Sequence, residues 1–216
     1  MNWWRPEAVG HVVAADAILQ CSFWREVQTI AELPHDADTW SAFVNSACSD
    51  LWPLDDEALE RAAVMAHEAY VNGCKSSAAK HHESVLPWDE GLPDVYKRSN
   101  IHQAAYVSVI LEAAGFTLLK LEHGQTPSDE EAKPAGYDEK VEEMARMEHG
   151  RYCAERVADG WRLGPDNDPV KKTNPTLVPW EELSEAMRNF DRQAVEQWPG
   201  LLSDAGLKIV PKDVGS

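Results

Sequence analysis

Hydrophobic and polar positions in the second half of the chain alternate with a helical period on either side of one long polar stretch. Ala145, His149, Tyr152 and Arg156 stand at i, i+4, i+7 and i+11, one face of a helix running from about Asp138, a suitable N-cap, to about Asp159 before Gly160. After Ser184, a second candidate cap, Ala194, Val195, Trp198, Leu201, Leu202 and Ala205 keep a near 3.6-residue stripe, and Pro199 inside it predicts a kink. Between the two helices, Trp161 to Thr176 carries Gly164-Pro165, Asp168-Pro169 and Lys171-Lys172. A connection of that length in a compact unit is more often functional than not.

The first half shows the same order of elements. Ala63, His67 and Tyr70 share a stripe on a helix from about Asp56 to Asn72, closed by Gly73. Pro87 and Pro93 bracket an extended piece around Trp88, and a second helix is expected from about Asn100 to Ala114. Gly115 ends it, and Phe116 to Leu119 forms a short extended exit. The likeness extends to particular residues. Met65-Ala-His-Glu-Ala-Tyr70 answers Glu148-His-Gly-Arg-Tyr152, Leu86-Pro-Trp-Asp-Glu90 answers Val178-Pro-Trp-Glu-Glu182, and Leu111-Glu-Ala-Ala-Gly115 answers Leu202-Ser-Asp-Ala-Gly206. Asn100 stands 11 residues before Leu111 and Asp191 stands 11 before Leu202, so the register holds there. His67 to Asn100 spans 33 residues and His149 to Asp191 spans 42, which places an extra loop in the second copy. Self-similarity on this scale implies two units that bury their apolar faces on one another.

Residues 1–54 read as a helical N-terminal segment, with Val9, Val12, Val13, Ile18, Leu19, Phe23 and Val27 in a helical run and five tryptophans. The two units then cover 55–121 and 138–212, joined by an acidic, glycine- and proline-containing linker at 122–137. The fold class expected is mostly α: two pseudo-twofold-related repeats of paired helices with short extended pieces, preceded by the helical segment.

Composition narrows the function. A formal net charge of -17 over 216 residues repels nucleic-acid phosphates and anionic membrane surfaces. No apolar run is long enough for a membrane span, no signal peptide opens the chain, and four scattered cysteines fit free thiols in a reducing cytoplasm. Positive charge is nevertheless concentrated late: residues 141–212 hold ten of the 20 Lys and Arg against thirteen acids.

The paired His-x-x-Tyr motifs, His67/Tyr70 and His149/Tyr152, are the main candidate chemistry. On facing walls of one cleft, two tyrosines suit a planar ring by stacking. Arg151, Arg156, Arg162, Lys171 and Lys172 suit a phosphate, and Trp161 stands among them. The alternative is structural: histidines that bond the Pro-Trp turns, and tyrosines that fill the core. No metal is expected, because His149 and Cys153 make only two ligands at helical spacing. No cofactor or catalytic residue is expected either, since no nucleophile elbow or phosphate-cradling glycine loop is present.

The run Glu148-His-Gly-Arg-Tyr152, Gly160-Trp-Arg-Leu-Gly-Pro165, Leu177-Val-Pro-Trp-Glu-Glu-Leu183, Asp191-Arg192 and Ala205-Gly-Leu-Lys-Ile209 resembles the RyR domain, the small repeat named for ryanodine receptors and found also in bacterial and phage proteins. The first copy lacks Gly-Trp-x-x-Gly-Pro, and its Ser99-Asn100-x-x-Gln103-Ala104 is similar to the partner repeat of bacterial tandem forms. The resemblance covers roughly residues 56–210. It implies a non-catalytic module binding a nucleotide or nucleotide-derived signal between the repeats, with Tyr70 and Tyr152 against the base, as a sensor or sponge in bacterial or phage defence. The alternative is an interaction scaffold with no small ligand, docking an effector protein or a second copy.

Overall fold

A computed structural model describes residues 56–74, 86–122 and 132–212. The expected N-terminal helical segment lies outside the described residues, as does the part of the expected linker at 123–131. Four α-helices and two small sheets make up the rest, so the mostly α expectation holds.

Helix α1 (Asp56–Cys74) and helix α2 (Asp94–Ala114) form the first half, followed by strand β1 (Phe116–Lys120). Helix α3 (Val141–Ala158) follows a single 3-10 turn at Asp138–Lys140. Strands β2 (Arg162–Leu163) and β3 (Thr173–Asn174) form a short parallel pair within the long connection. Helix α4 (Glu185–Asp204) and strand β4 (Leu207–Pro211) complete the second half. Helix α2 begins earlier than the sequence implied, directly after Pro93, whose fixed φ ends the extended piece while Asp94 supplies a carboxylate to the first turn. Ser184 caps α4 as expected, accepting the Met187 amide.

In both halves the second helix ends in a left-handed glycine, Gly115 (φ 91°) and Gly206 (φ 87°), and a strand follows at once. That conformation costs glycine little and reverses the chain within one residue. Strands β1 and β4 then pair antiparallel, with Leu118 opposite Ile209, so the two exits zip the halves together. Ile110, Leu111, Met144, Met147, Leu177, Leu207 and Ile209 lie fully inside the core between the helices. No helix among the described residues is long and apolar enough to cross a membrane.

The composition of 122–137 reads as linker, yet Ala132 and Tyr137 are buried. Pro199 gives the reason. A proline inside a helix has no N–H for the carbonyl four residues earlier, and here that carbonyl belongs to Val195. The Tyr137 hydroxyl donates to it at 2.8 Å. One side chain from before α3 therefore satisfies the acceptor that Pro199 orphans in α4. We expect Tyr137→Phe to cost about 1–3 kcal/mol in urea unfolding, the range for a buried acceptor left without a donor. In a Pro199→Ala background, where the helix N–H is restored, the same change costs about half as much or less.

Candidate functional site

A partly open cavity of about 640 Å³ lies between the four helices, with residues of α1, α2, α3, α4 and the long connection in its walls. That volume falls in the range of small-molecule sites. Two buried histidines fix its walls. His67 Nε2 donates to Leu86 O at 2.8 Å, and His149 Nε2 donates to Val178 O at 2.8 Å. Each carbonyl belongs to the residue before a Pro-Trp turn. The tryptophan of that turn packs on the same imidazole, with ring centroids 5.9 Å apart for both His67–Trp88 and His149–Trp180. The structural role weighed for the histidines is thus what their Nε2 atoms perform, while both rings also line the cavity.

Both tyrosines of the His-x-x-Tyr motifs reach the cavity. Tyr70 is 45% exposed at its wall. Tyr152 is half-buried, and its hydroxyl accepts from Asn174 Nδ2 at 2.8 Å. Asn174 Oδ1 in turn accepts from the Thr176 amide and hydroxyl at 2.8 and 2.7 Å, so the end of the long connection is fastened to the Tyr152 ring. Arg156 stands over the Tyr152 ring at 5.2 Å and the Trp161 ring at 5.2 Å. Such contacts hold a guanidinium by its face and leave its edge for hydrogen bonds. That edge is poorly used: Nη2 lies 3.4 Å from Ser99 Oγ, Nε has no partner, and the side chain is only 7% exposed.

Arg151 lies in the same wall and is spent. Its Nε and Nη2 donate to Glu148 at 2.8–3.1 Å and its Nη1 to Glu155 at 2.5 Å, all deep in the protein. Burial works against its charge, but the two carboxylates outweigh it and hold the guanidinium well above its ordinary range. Glu155 shows the converse: burial alone would raise it, and Arg151 and Arg156 bring it below the usual carboxylate value. Gln103 of α2 donates to Glu148 at 2.9 Å and closes the group.

The structure does not bring Arg162, Lys171 or Lys172 to the cavity. All three are exposed in or beside the small parallel pair, and none lies in the cavity wall. Lys171 bonds Asp168 at 2.7 Å, and Lys172 bonds the Asp159 carbonyl at 2.5 Å. The two lysines fasten the connection to itself and to the end of α3. Gly164 belongs to the same local lock: a Cβ there would stand 2.6 Å from Thr173 Cβ, so only glycine lets β2 and β3 approach. Of the expected site residues, Tyr70, Tyr152, His67, His149, Arg151, Arg156 and Trp161 do share the cavity.

Sequence reasoning did not single out Asp191, Glu148 or Asn174. Asp191 lines the cavity with Oδ2 3.7 Å from His149 Nδ1. Burial and the Glu148 charge push its carboxyl up to about 8, with Arg151 opposing only in part. A signal existed, since Asp191 occupies the register position of Asn100, and Asn100 Nδ2 lies 3.4 Å from His67 Nδ1.

Residues 134–211 match the family model of the RyR domain. The match takes in Tyr137, α3, the long connection, the Pro-Trp turn, α4 and β4, which together supply one side of the cavity. Helices α1 and α2 lie outside it.

The two wall arginines should separate in urea unfolding. Arg151→Leu strands two buried carboxylates and is expected to cost about 3–5 kcal/mol. Arg156→Leu leaves no ion-paired acid behind and should stay within about 1 kcal/mol, the loss of its ring contacts.

Proposed function

We propose that this protein is a non-catalytic module binding a nucleotide-type small molecule in the cavity between its two helix-pair halves, taken as related repeats. One observation carries the reading: Arg156, enclosed between two rings and facing a cavity of about 640 Å³, has an unpartnered Nε and, among the described residues, no ion-paired carboxylate. A buried cation in that state is unfavourable until an anion arrives. Phosphate or carboxylate oxygens suit its edge through charge-assisted hydrogen bonds. Tyr70 and Tyr152 offer flat surfaces for a ring attached to that anion. The RyR domain match over 134–211 takes in Tyr152 and Arg156, the ring and the cation of this reading.

The reading tolerates the chain's strong overall acidity. Charges outside the cavity are screened within about 8 Å at physiological salt, whereas a group enclosed with its partner is screened much less.

Thermal shift and calorimetry against linear and cyclic purine and pyrimidine nucleotides test it. At least one is expected to bind, and Arg156→Ala should then weaken it tenfold or more, the loss of one charge-assisted bond. Tyr70→Ala should weaken binding with little change in melting temperature, because that ring is already 45% exposed. No heat and no stabilisation from any nucleotide would end the reading.

A further inference from the structure

The histidines of the two halves share their carbonyl and tryptophan contacts but differ in what faces Nδ1. In the first, the Asn100 amide faces the Nδ1 of His67 at 3.4 Å while its Nδ2 also donates to Tyr96 O at 2.8 Å. In the second, Asp191 faces the Nδ1 of His149 at 3.7 Å. Both imidazoles give their Nε2–H to a backbone carbonyl, so in the neutral ring Nδ1 carries a lone pair. An amide N–H satisfies a lone pair, and an ionised carboxylate repels it. An aspartate in asparagine's place meets the same demand only with a proton on it.

We propose that Asp191 is the specificity-determining residue of this cavity and acts uncharged: its O–H is directed at His149 Nδ1, and its second oxygen accepts an N–H from the ring end of the ligand. This rests on the reading of the cavity as a nucleotide-type site. The electrostatics agree with the geometry. The charged and titratable groups bearing on Asp191 come from α3, namely Glu148, His149, Arg151 and Cys153. From α1, His67 and Tyr70, and from α2, Tyr96, line the same cavity. The cation that bears on Asp191 among the described residues, Arg151, is already held by Glu148 and Glu155. Burial lowers His149, which removes the imidazolium that an ionised Asp191 would need. The Asp191 side chain makes no hydrogen bond among the described residues, so its second oxygen can take one from a ligand in the cavity it lines.

Position sets the ligand's orientation. His149 and Arg156 are seven residues apart on one face of α3, roughly 10 Å along the axis at about 1.5 Å per residue. An anionic group on Arg156 and an amino group on Asp191 are then opposite ends of one molecule, with Tyr152 between them on the helix.

The ionisation state is tested without ligand. A carboxyl raised in the folded state contributes stability that is complete below its unfolded value near pH 4 and is lost as pH rises through about 8. Asp191→Asn supplies the neutral isostere that Asn100 already provides. It should melt within about 2 °C of the parent at pH 4.5 and at least about 4 °C above it at pH 8. If it melts below the parent at pH 8, Asp191 is one half of an ion pair with a protonated His149 and the proposal is overturned.

Selectivity is tested by calorimetry with adenosine and inosine 5′-monophosphates, which exchange an amino donor for a carbonyl acceptor. The parent and Asp191→Asn should both prefer the adenosine form by about tenfold or more, and Asp191→Leu should lose the preference. Equal affinity of the parent for both, or a preference that survives in Asp191→Leu, overturns the assignment. Binding of neither overturns the nucleotide reading alone, and the melting curves still decide the state of Asp191.

Discussion

A buried imidazole bonded to a backbone carbonyl organises each half of this protein. His67 and His149 project from the first helix of their halves and hold the residue that leads into a Pro-Trp turn. A buried backbone carbonyl needs a donor, and the one that leads into each turn has no helix or strand partner among the described residues to supply it. The imidazole supplies one, the tryptophan packs on the imidazole, and the second helix starts from a defined place. The same two helices that carry the histidines also carry Tyr70, Tyr152 and Arg156 into the cavity wall.

Charge is handled in two opposite ways within one wall. Arg151 is surrounded by carboxylates and acts as an internal strut between α2 and α3 through Glu148 and Gln103. Arg156, little more than one turn along the same helix, is held by aromatic faces instead. Faces restrain a guanidinium without neutralising it. The contrast explains why the count of basic residues in the second half overstated the cavity's positive charge: two of the five candidates are in the wall, and one of those is already neutralised.

Much of the fold was legible from periodicity. Of the stripe after Ser184, Val195, Trp198, Leu202 and Ala205 are buried while Ala194 and Leu201 are half-buried at the cavity, and the glycines at 115 and 206 follow their helices in the left-handed conformation. Tyr137 was not legible, because its partner is the carbonyl that Pro199 orphans, a pairing across 58 residues that no local pattern carries. Pairing of β1 with β4 was hidden for the same reason: two five-residue extended pieces do not announce their partners. All four residues of the His-x-x-Tyr motifs line the cavity, as their shared helix stripes imply. The loop lysines misled, since their acid partners at 159 and 168 lie close in sequence and a bare tally of charge ignores them. Asp191 was visible as a register partner of Asn100, but its meaning needed the tautomer of a histidine on another helix.

The strand pair has a mechanical consequence. Strands β1 and β4 join across the two halves, with the Lys212 amide bonded to the Gly115 carbonyl and the Leu121 amide to the Gly206 carbonyl at the margins of the ladder. The halves are therefore held by backbone hydrogen bonds as well as by the covalent chain, each supplying the strand that completes the other's sheet.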